Sequence, residues 1–292
     1  MSANLPPPDR YAVLGHPVAH SQSPFIHARF AEQTGQHLTY GRIDCALDGF
    51  EATVRGFINS ADPAAGLGPA RGCNITVPFK FDVLPLARQV TPRAALAQAA
   101  NVLRFDEAGW LADNTDGTGL VRDIQQGAGQ ALAGTRVLLI GAGGAAAGVL
   151  GPLIEAGCSA ITVANRTVDK ATALVQRHAA WAEQHGTRLS ASGLADAGEA
   201  FDVVINSSAS SLAGAGVPVH ARVLRPGTLA VDLMYGAAAQ PFIDWASTHG
   251  ATGRDGLGML VEQAAGAFAL WRGVWPDTSP VLAALRQRLA SH

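Results

Sequence analysis

Short runs of β-branched and apolar residues alternate with stretches of helical periodicity along most of the chain, which predicts an α/β fold with mostly parallel sheets. Tyr11-Ala-Val-Leu14 predicts a first strand. Ser23 as an N-cap with Pro24 at the first helical position predicts a helix running to about Gly35. Leu38 to Ile43 predicts a second strand and Leu47 to Asn59 a second helix. The Pro-, Gly- and Ala-rich stretch from Asp62 to Gly72 reads as a turn region. It precedes a strand near Cys73 to Val77, which Pro78 prevents from continuing. A fresh series opens at Arg136, with a strand at Val137 to Ile140, a helix at Gly144 to Ala156 and a strand at Ala160 to Ala164. A helix at Asp169 to Gln184 follows, then strands near Phe201 to Ile205 and Leu229 to Leu233. Helices near Leu257 to Trp271 and Pro280 to Ala290 close the chain.

With 292 residues the chain exceeds the usual size of one domain, which predicts two. At 48% hydrophobic and 15% charged residues it can bury a substantial core. A formal charge of −2, without a basic stripe, argues against nucleic acid or an anionic membrane as partner. Three cysteines, none in a CxxC, suit a reducing cytosol and exclude a disulfide scaffold or a cysteine-rich zinc site. The opening MSANLPPPDR has no apolar segment of the kind a signal peptide needs. Val137 to Ile154 carries no charge, but its five glycines and Pro152 fit a strand, a turn and a helix better than a membrane span. The expectation is a soluble protein.

The first candidate chemistry is a nucleotide site. Gly141, Gly143 and Ala146 form G-x-G-x-x-A between a predicted strand and a predicted helix. Such a turn lets pyrophosphate approach the backbone at a helix N-terminus, and a small third residue lets helix and strand pack closely. A bare glycine-rich turn is the plainer reading of the same residues. At the end of the next strand NAD would require a carboxylate, yet the chain has Asn165-Arg166-Thr167. Arg166 offers a forked cation to a 2′-phosphate, Asn165 and Thr167 offer hydrogen bonds, and Lys170 a second charge. NADP is favoured over NAD.

There is no GxxxxGK[ST], G-x-S-x-G or HExxH. His16 and His20 lie four apart, but Gly15 and Pro17 oppose the helix that would make them a ligand pair. Of 21 basic residues only Lys80 and Lys170 are lysines. Arginine does not release its proton in a protein, whereas a partly buried lysine can, so Lys80 is a candidate acid/base and chance retention is the alternative. Asp116, in a turn-rich segment before the nucleotide unit, is its natural partner or the N-cap of the following helix.

Six motifs in consistent order across residues 11 to about 285 make the chain resemble the shikimate dehydrogenases. They are Tyr-Ala-Val-Leu-Gly-His-Pro-Val-Ala-His-Ser-Gln-Ser-Pro at 11 to 24, Asn-Ile-Thr-Val-Pro-Phe-Lys at 74 to 80 and Asn-Thr-Asp-Gly at 114 to 117. Gly-Ala-Gly-Gly-Ala at 141 to 145, Asn-Arg-Thr at 165 to 167 and Asp-Gly-Leu-Gly-Met-Leu-Val-Glu-Gln-Ala-Ala at 255 to 265 complete the set. The resemblance implies two α/β domains with a cleft between them. Residues 1–115 and 256–292 would form the substrate domain and 116–255 a Rossmann-type NADP domain. It implies reversible reduction of 3-dehydroshikimate to shikimate, in the route through chorismate to the aromatic amino acids.

The resemblance also implies roles. Ser21 and Ser23, helped by Tyr235, would hold the substrate carboxylate. Thr76, Asn101, Asp116 and Gln263 would bind ring hydroxyls, and Lys80 with Asp116 would form the acid/base pair. Gly141, Ala142, Gly143, Gly144, Ala145, Asn165, Arg166, Thr167, Lys170, Met234, Gly256 and Met259 would meet the cofactor. It implies no metal and leaves a homodimer open. The chain departs from the family pattern at His16, at Val102 (which loses a hydroxyl beside Asn101) and at Ser207-Ser208. Two rival readings are a broader quinate/shikimate dehydrogenase and a non-catalytic sensor that keeps ligand binding.

Overall fold

The computed structural model describes residues 6–208 and 217–291. They form two compact units, Met1–Thr115 with Ala264–His292, and Asp116–Gln263.

The first unit contains β1 (Asp9–Gly15), α1 (Ser23–Thr34), β2 (Leu38–Asp44), α2 (Phe50–Asn59) and β3 (Ala70–Ile75). After these come β4 (Gln89–Val90), α3 (Pro92–Ala97), β5 (Val102–Asp106) and β6 (Gly109–Asp113). The sheet order is β2-β1-β3-β5-β6-β4. β1 pairs in parallel with β2 and β3, but β5 runs antiparallel to both β3 and β6. This half of the fold is therefore mixed, a departure from the expected parallel pattern. β5 and β6 are joined by a short turn, which only an antiparallel pair permits.

α1 starts at Ser23, with Gln22 as its cap and no side-chain capping bond, so Ser23 is not the N-cap that its position before Pro24 suggests. The Ser23 hydroxyl is engaged instead by Ser21, whose Oγ donates to it at 3.1 Å. The helix ends where predicted, with Gly35 at φ 64°. α2 begins three residues later than expected, because the Gly49 amide bonds back to Ala46 and residues before it form a turn. Leu14, Cys73, Ile75, Phe79 and Leu103 share one core with Phe50, whose ring stacks on Phe79 at 5.0 Å.

The second unit starts with α4 (Asp116–Arg122), which runs on into a π-turn at Asp123–Gly127. β7 (Arg136–Ile140), α5 (Gly144–Glu155), β8 (Ala160–Ala164), α6 (Val168–Gln184) and β9 (Arg188–Ser192) come next. β10 (Val203–Asn206), β11 (Leu229–Asp232), α7 (Gln240–Thr248) and β12 (Thr252–Arg254) complete a parallel sheet ordered β12-β11-β10-β7-β8-β9. Val137 and Leu139 enter one buried cluster and Leu138 and Ile140 the other. Burial on both faces is why β7 reads as an unbroken apolar run. No helix among the described residues is long and apolar enough to cross a membrane.

α8 (Leu257–Arg272) spans the dividing point of the units, Gln263/Ala264, which lies inside the helix and eight residues beyond the expected boundary at 255/256. α9 (Ser279–Ala290) then packs on α1. The start of α8 is fixed in the second unit by Asp123, buried at the π-turn. Its carboxylate accepts Nε and Nη2 of Arg254 at 2.9 and 2.5 Å, and a Cβ on Gly258 would collide with it. This pair raises the Arg254 pKa, chiefly through the hydrogen bond. Asp123→Ala strands Arg254 and is expected to cost about 3 kcal/mol in urea unfolding, against about 0.5 kcal/mol for a surface change.

Candidate active site

In each sheet the chain reverses its direction of travel beside the first strand, between β1 and β3 and between β7 and β10. Ligands of open α/β sheets sit beyond the carboxyl ends of strands at such points.

In the first unit that point is formed by Gly15 and Thr76. A Cβ on Gly15 would overlap the Thr76 methyl, so only glycine lets the end of β3 come this close. The Thr76 amide donates to the Leu14 carbonyl at 2.9 Å, and the Thr76 carbonyl accepts from Phe79 at 3.1 Å. That turn carries the half-buried Lys80, whose own carbonyl accepts the Ala100 amide at 2.9 Å, next to Asn101. Thr76 and Lys80 thus share one turn, and the segment that carries Asn101 is hydrogen-bonded to it. Ser21 and Ser23 form a second pair, held before and at the start of α1.

Asn101 is buried and oriented from two sides. Its Oδ1 accepts the Thr115 amide at 2.8 Å, and its Nδ2 donates to the Thr115 Oγ1 at 3.1 Å. Val102, the departure beside Asn101, is buried at the start of β5. Asn74 donates from Nδ2 to the Asn101 carbonyl at 3.2 Å, and its Oδ1 accepts the Tyr40 phenol at 2.7 Å. Asn74, Tyr40 and Thr115 shape the site without a local signal of that role in the sequence, although Asn74 and Thr115 lie in the motifs at 74–80 and 114–117. His16, another departure, pairs with Asp44 at 3.2 Å on the surface.

In the second unit Asp116 is buried at the first turn of α4. A Cβ on Gly119 would stand 2.6 Å from the amide of Gln263, so α4 packs directly on α8 at that residue. Gln263 is 8% exposed rather than solvent-facing, and its Nε2 donates to the Leu260 carbonyl at 2.8 Å. Tyr235 lies on the turn after β11 with Gly236 at φ 65°, and burial raises its phenol pKa. The structure brings Asp116 and Gln263 to adjoining helices, but no hydrogen bond among the described residues ties Tyr235 to either.

The glycine turn has the geometry its pattern requires. Gly141 sits at φ 107°, and a Cβ there would be 2.7 Å from Oγ of Ser207 at the end of β10. Ser207 donates to the Ile140 carbonyl from both its amide and its hydroxyl, at 2.8 and 2.7 Å. Ala146 is fully buried under the turn. Gly143 caps α5 without any side-chain bond, and a Cβ there would meet nothing within 4 Å. Backbone amides at a helix start behind an open glycine form a cradle for pyrophosphate. Ala142, Gly144 and Ala145 flank Gly143 at the start of α5.

At the end of β8, Arg166, Thr167 and Lys170 are exposed, and Arg166 has no ion-pair partner among the described residues. Asn165 uses one N–H on the Thr167 carbonyl at 2.8 Å, so it orders this turn as well as facing it. An unpaired guanidinium with a hydroxyl and an amine beside it fits a phosphate monoester, and no carboxylate competes at the strand end. Beyond β11 the buried Asp232 accepts the Met234 amide at 2.8 Å and Asn206 at 3.0 Å, and Gly256 donates to the Met234 carbonyl at 2.8 Å. Ser208 donates to Asn206 at 2.7 Å. Met259 lies in the core beside α5. NADP therefore fits this set of residues.

The second unit is built as the dinucleotide-binding part of an oxidoreductase. Three family models match the chain: the shikimate dehydrogenase substrate binding domain over residues 13–103, shikimate/quinate 5-dehydrogenase over 123–232, and the shikimate 5′-dehydrogenase C-terminal domain over 256–286. A curated shikimate dehydrogenase (NADP(+)) from Methylibium petroleiphilum is 66% identical over 278 residues, covering 95% of this chain and 94% of that protein. Among solved structures, an Ael1 enzyme from Pseudomonas putida is 45% identical with a TM-score of 0.83, covering 95% of this chain and 98% of that one. Shikimate 5-dehydrogenase from Thermus thermophilus, solved with NADP(H) and shikimate, is 30% identical with a TM-score of 0.77, covering 96% and 99%. The chain belongs to the shikimate dehydrogenase family.

Under the Ser23 turn the His27 ring stacks on Tyr40 at 4.2 Å and 5°, with neither nitrogen hydrogen-bonded. Burial lowers its pKa to about 3. The folded state excludes the imidazolium, so this contribution to stability is complete above the ordinary histidine value and is lost as pH falls from about 6.5 towards 3. His27→Phe is expected to remove up to about 1.4 kcal/mol per pH unit from that acid slope, read by urea unfolding across the range.

Proposed function

We propose that this protein catalyses the reversible NADPH-dependent reduction of 3-dehydroshikimate to shikimate, a step towards chorismate and the aromatic amino acids. The observation that carries the reading is Arg166 at the end of β8, beside the glycine turn and without an ion-pair partner among the described residues, in a chain 66% identical to a shikimate dehydrogenase (NADP(+)). The amides at Gly141 to Ala145 hold the pyrophosphate, and Asn165, Arg166, Thr167 and Lys170 hold the 2′-phosphate. Met234, Gly256 and Met259 shape the nicotinamide end. When bound, NADPH supplies the hydride, and the protein supplies orientation and a proton.

Ser21 and Ser23 bind the substrate carboxylate with Tyr235, while Thr76, Asn101, Asp116 and Gln263 bind the ring hydroxyls. Lys80 and Asp116 pass the proton to the oxygen that becomes the new hydroxyl. A lysine amine can give and regain that proton where arginine cannot. Asn101, locked by Thr115 and Asn74, cannot rotate to suit an analogue lacking a hydroxyl, so its polar atoms would be left unpaired. Residues 1–115 with the C-terminal helices act as the substrate domain and the remainder as the NADP domain. Three buried cysteines without a disulfide suit the cytoplasm.

Initial rates with shikimate or quinate, crossed against NADP or NAD, test the reading. Turnover confined to shikimate with NADP is the expected result. Silence in all four from protein that binds NADP would make it a sensor. Lys80→Met is expected to lower kcat by about 100-fold or more with NADP affinity kept, and a loss under about tenfold removes Lys80 from the proton transfer. Arg166→Ala is expected to raise KM for NADP by about tenfold and leave KM for NAD in place, whereas equal effects would sink the phosphate assignment.

A further inference from the structure

β2 is the edge strand of the first sheet, and Tyr40, Arg42 and Asp44 alternate along one of its faces. Each fastens a different part of the substrate unit. Tyr40 donates to Asn74 at 2.7 Å, and Asp44 takes His16 at 3.2 Å. Arg42, between them, donates Nε and Nη2 to the Ser21 carbonyl at 2.9 and 2.6 Å. The main chain that presents the Ser21 hydroxyl is therefore held by a guanidinium.

Arg42 differs from two other arginines that order this unit, Arg93 and Arg272, and like Arg10 it donates to main-chain carbonyl oxygen. Arg93 is paired with Asp113 and Arg272 with Asp9, whereas Arg42 has no carboxylate partner among the described residues. Asp44, two residues along, is engaged by His16. A guanidinium has five N–H donors, and the Ser21 carbonyl accepts two of them. A positive charge thus stands one side chain behind a pair of neutral hydroxyls. Two hydroxyls alone are a weak site for an anion, because a carboxylate leaving water needs charge as well as hydrogen bonds.

We infer that Arg42 is a positioning and specificity-determining residue for the substrate's anionic group: it fixes the Ser21 main chain and supplies the positive charge that Ser21 and Ser23 lack. This rests on Ser21 and Ser23 being the carboxylate site. The guanidinium need not touch the carboxylate to act, since a positive charge beside the Ser21 main chain favours an anion over its neutral analogue.

Shikimate and its methyl ester, compared on the wild type, Arg42→Met and Arg42→Lys, test the inference. Arg42→Met should raise KM for shikimate by about tenfold or more, with kcat within about threefold and KM for the ester changed by less than about threefold. Arg42→Lys should recover much of the loss for shikimate because it keeps the charge. Raising ionic strength from about 20 to 200 mM should raise KM for shikimate in the wild type but not in Arg42→Met. Equal KM increases for acid and ester would overturn the charge role, and no increase for either would overturn the inference altogether. A wild type that uses acid and ester equally well would remove the carboxylate site itself, and the inference with it. Should Arg42→Met fail to fold, Arg42→Gln gives the same comparison, with NADP binding as the control.

Discussion

Both units depend on one steric constraint, a glycine at the end of the first strand that allows the neighbouring strand's hydroxyl residue into van der Waals range. Gly15 admits Thr76, and Gly141 admits Ser207. Each pair sits where the sheet changes its direction of winding, so the absent Cβ leaves room where a ligand has to lie. Any larger residue at Gly15 would push Thr76 and the Lys80 turn away from Asn101. At Gly141 it would displace Ser207 and, through Asn206 and Asp232, the turn that carries Met234.

The parts of the fold that were legible in the sequence are those whose signals are local. β8 spans Ala160–Ala164 as its apolar run predicts, and α1 stops at a left-handed Gly35. Arg104, Asp106 and Asp113 interrupt or end the short apolar stretches of β5 and β6, so no continuous run marked them, and their antiparallel pairing went unseen. The glycine turn was readable because a strand and helix flank it. Asn74, Tyr40 and Thr115 were not, because their partners lie 27, 34 and 14 residues away. Ser23 was misread for a related reason: before a proline a serine looks like a cap, and only the three-dimensional neighbour Ser21 shows where its hydroxyl goes.

Buried carboxylates do the remaining anchoring. Asp113, held below the usual carboxylate range by Arg93 against the opposing effect of burial, also accepts Thr91 and the Asn114 amide. It thereby ties α3 to the segment that leads from β6 to Asp116. Asp123 does the equivalent for α8 and Gln263. In each case an arginine fork meets a carboxylate that water cannot reach, which fixes a short polar segment by two directional bonds rather than by apolar contact.

The scarcity of lysine has a practical consequence. Lys80 lies in one unit and Lys170 in the other, and the chain has no other side-chain amine. Reductive methylation with isotope-labelled formaldehyde would place one spectroscopic reporter in each unit, apart from the chain's α-amine. One reporter would stand on the turn after β3 and the other at the cationic end of β8. Two resonances would then follow substrate and cofactor separately in the same sample, without a single substitution.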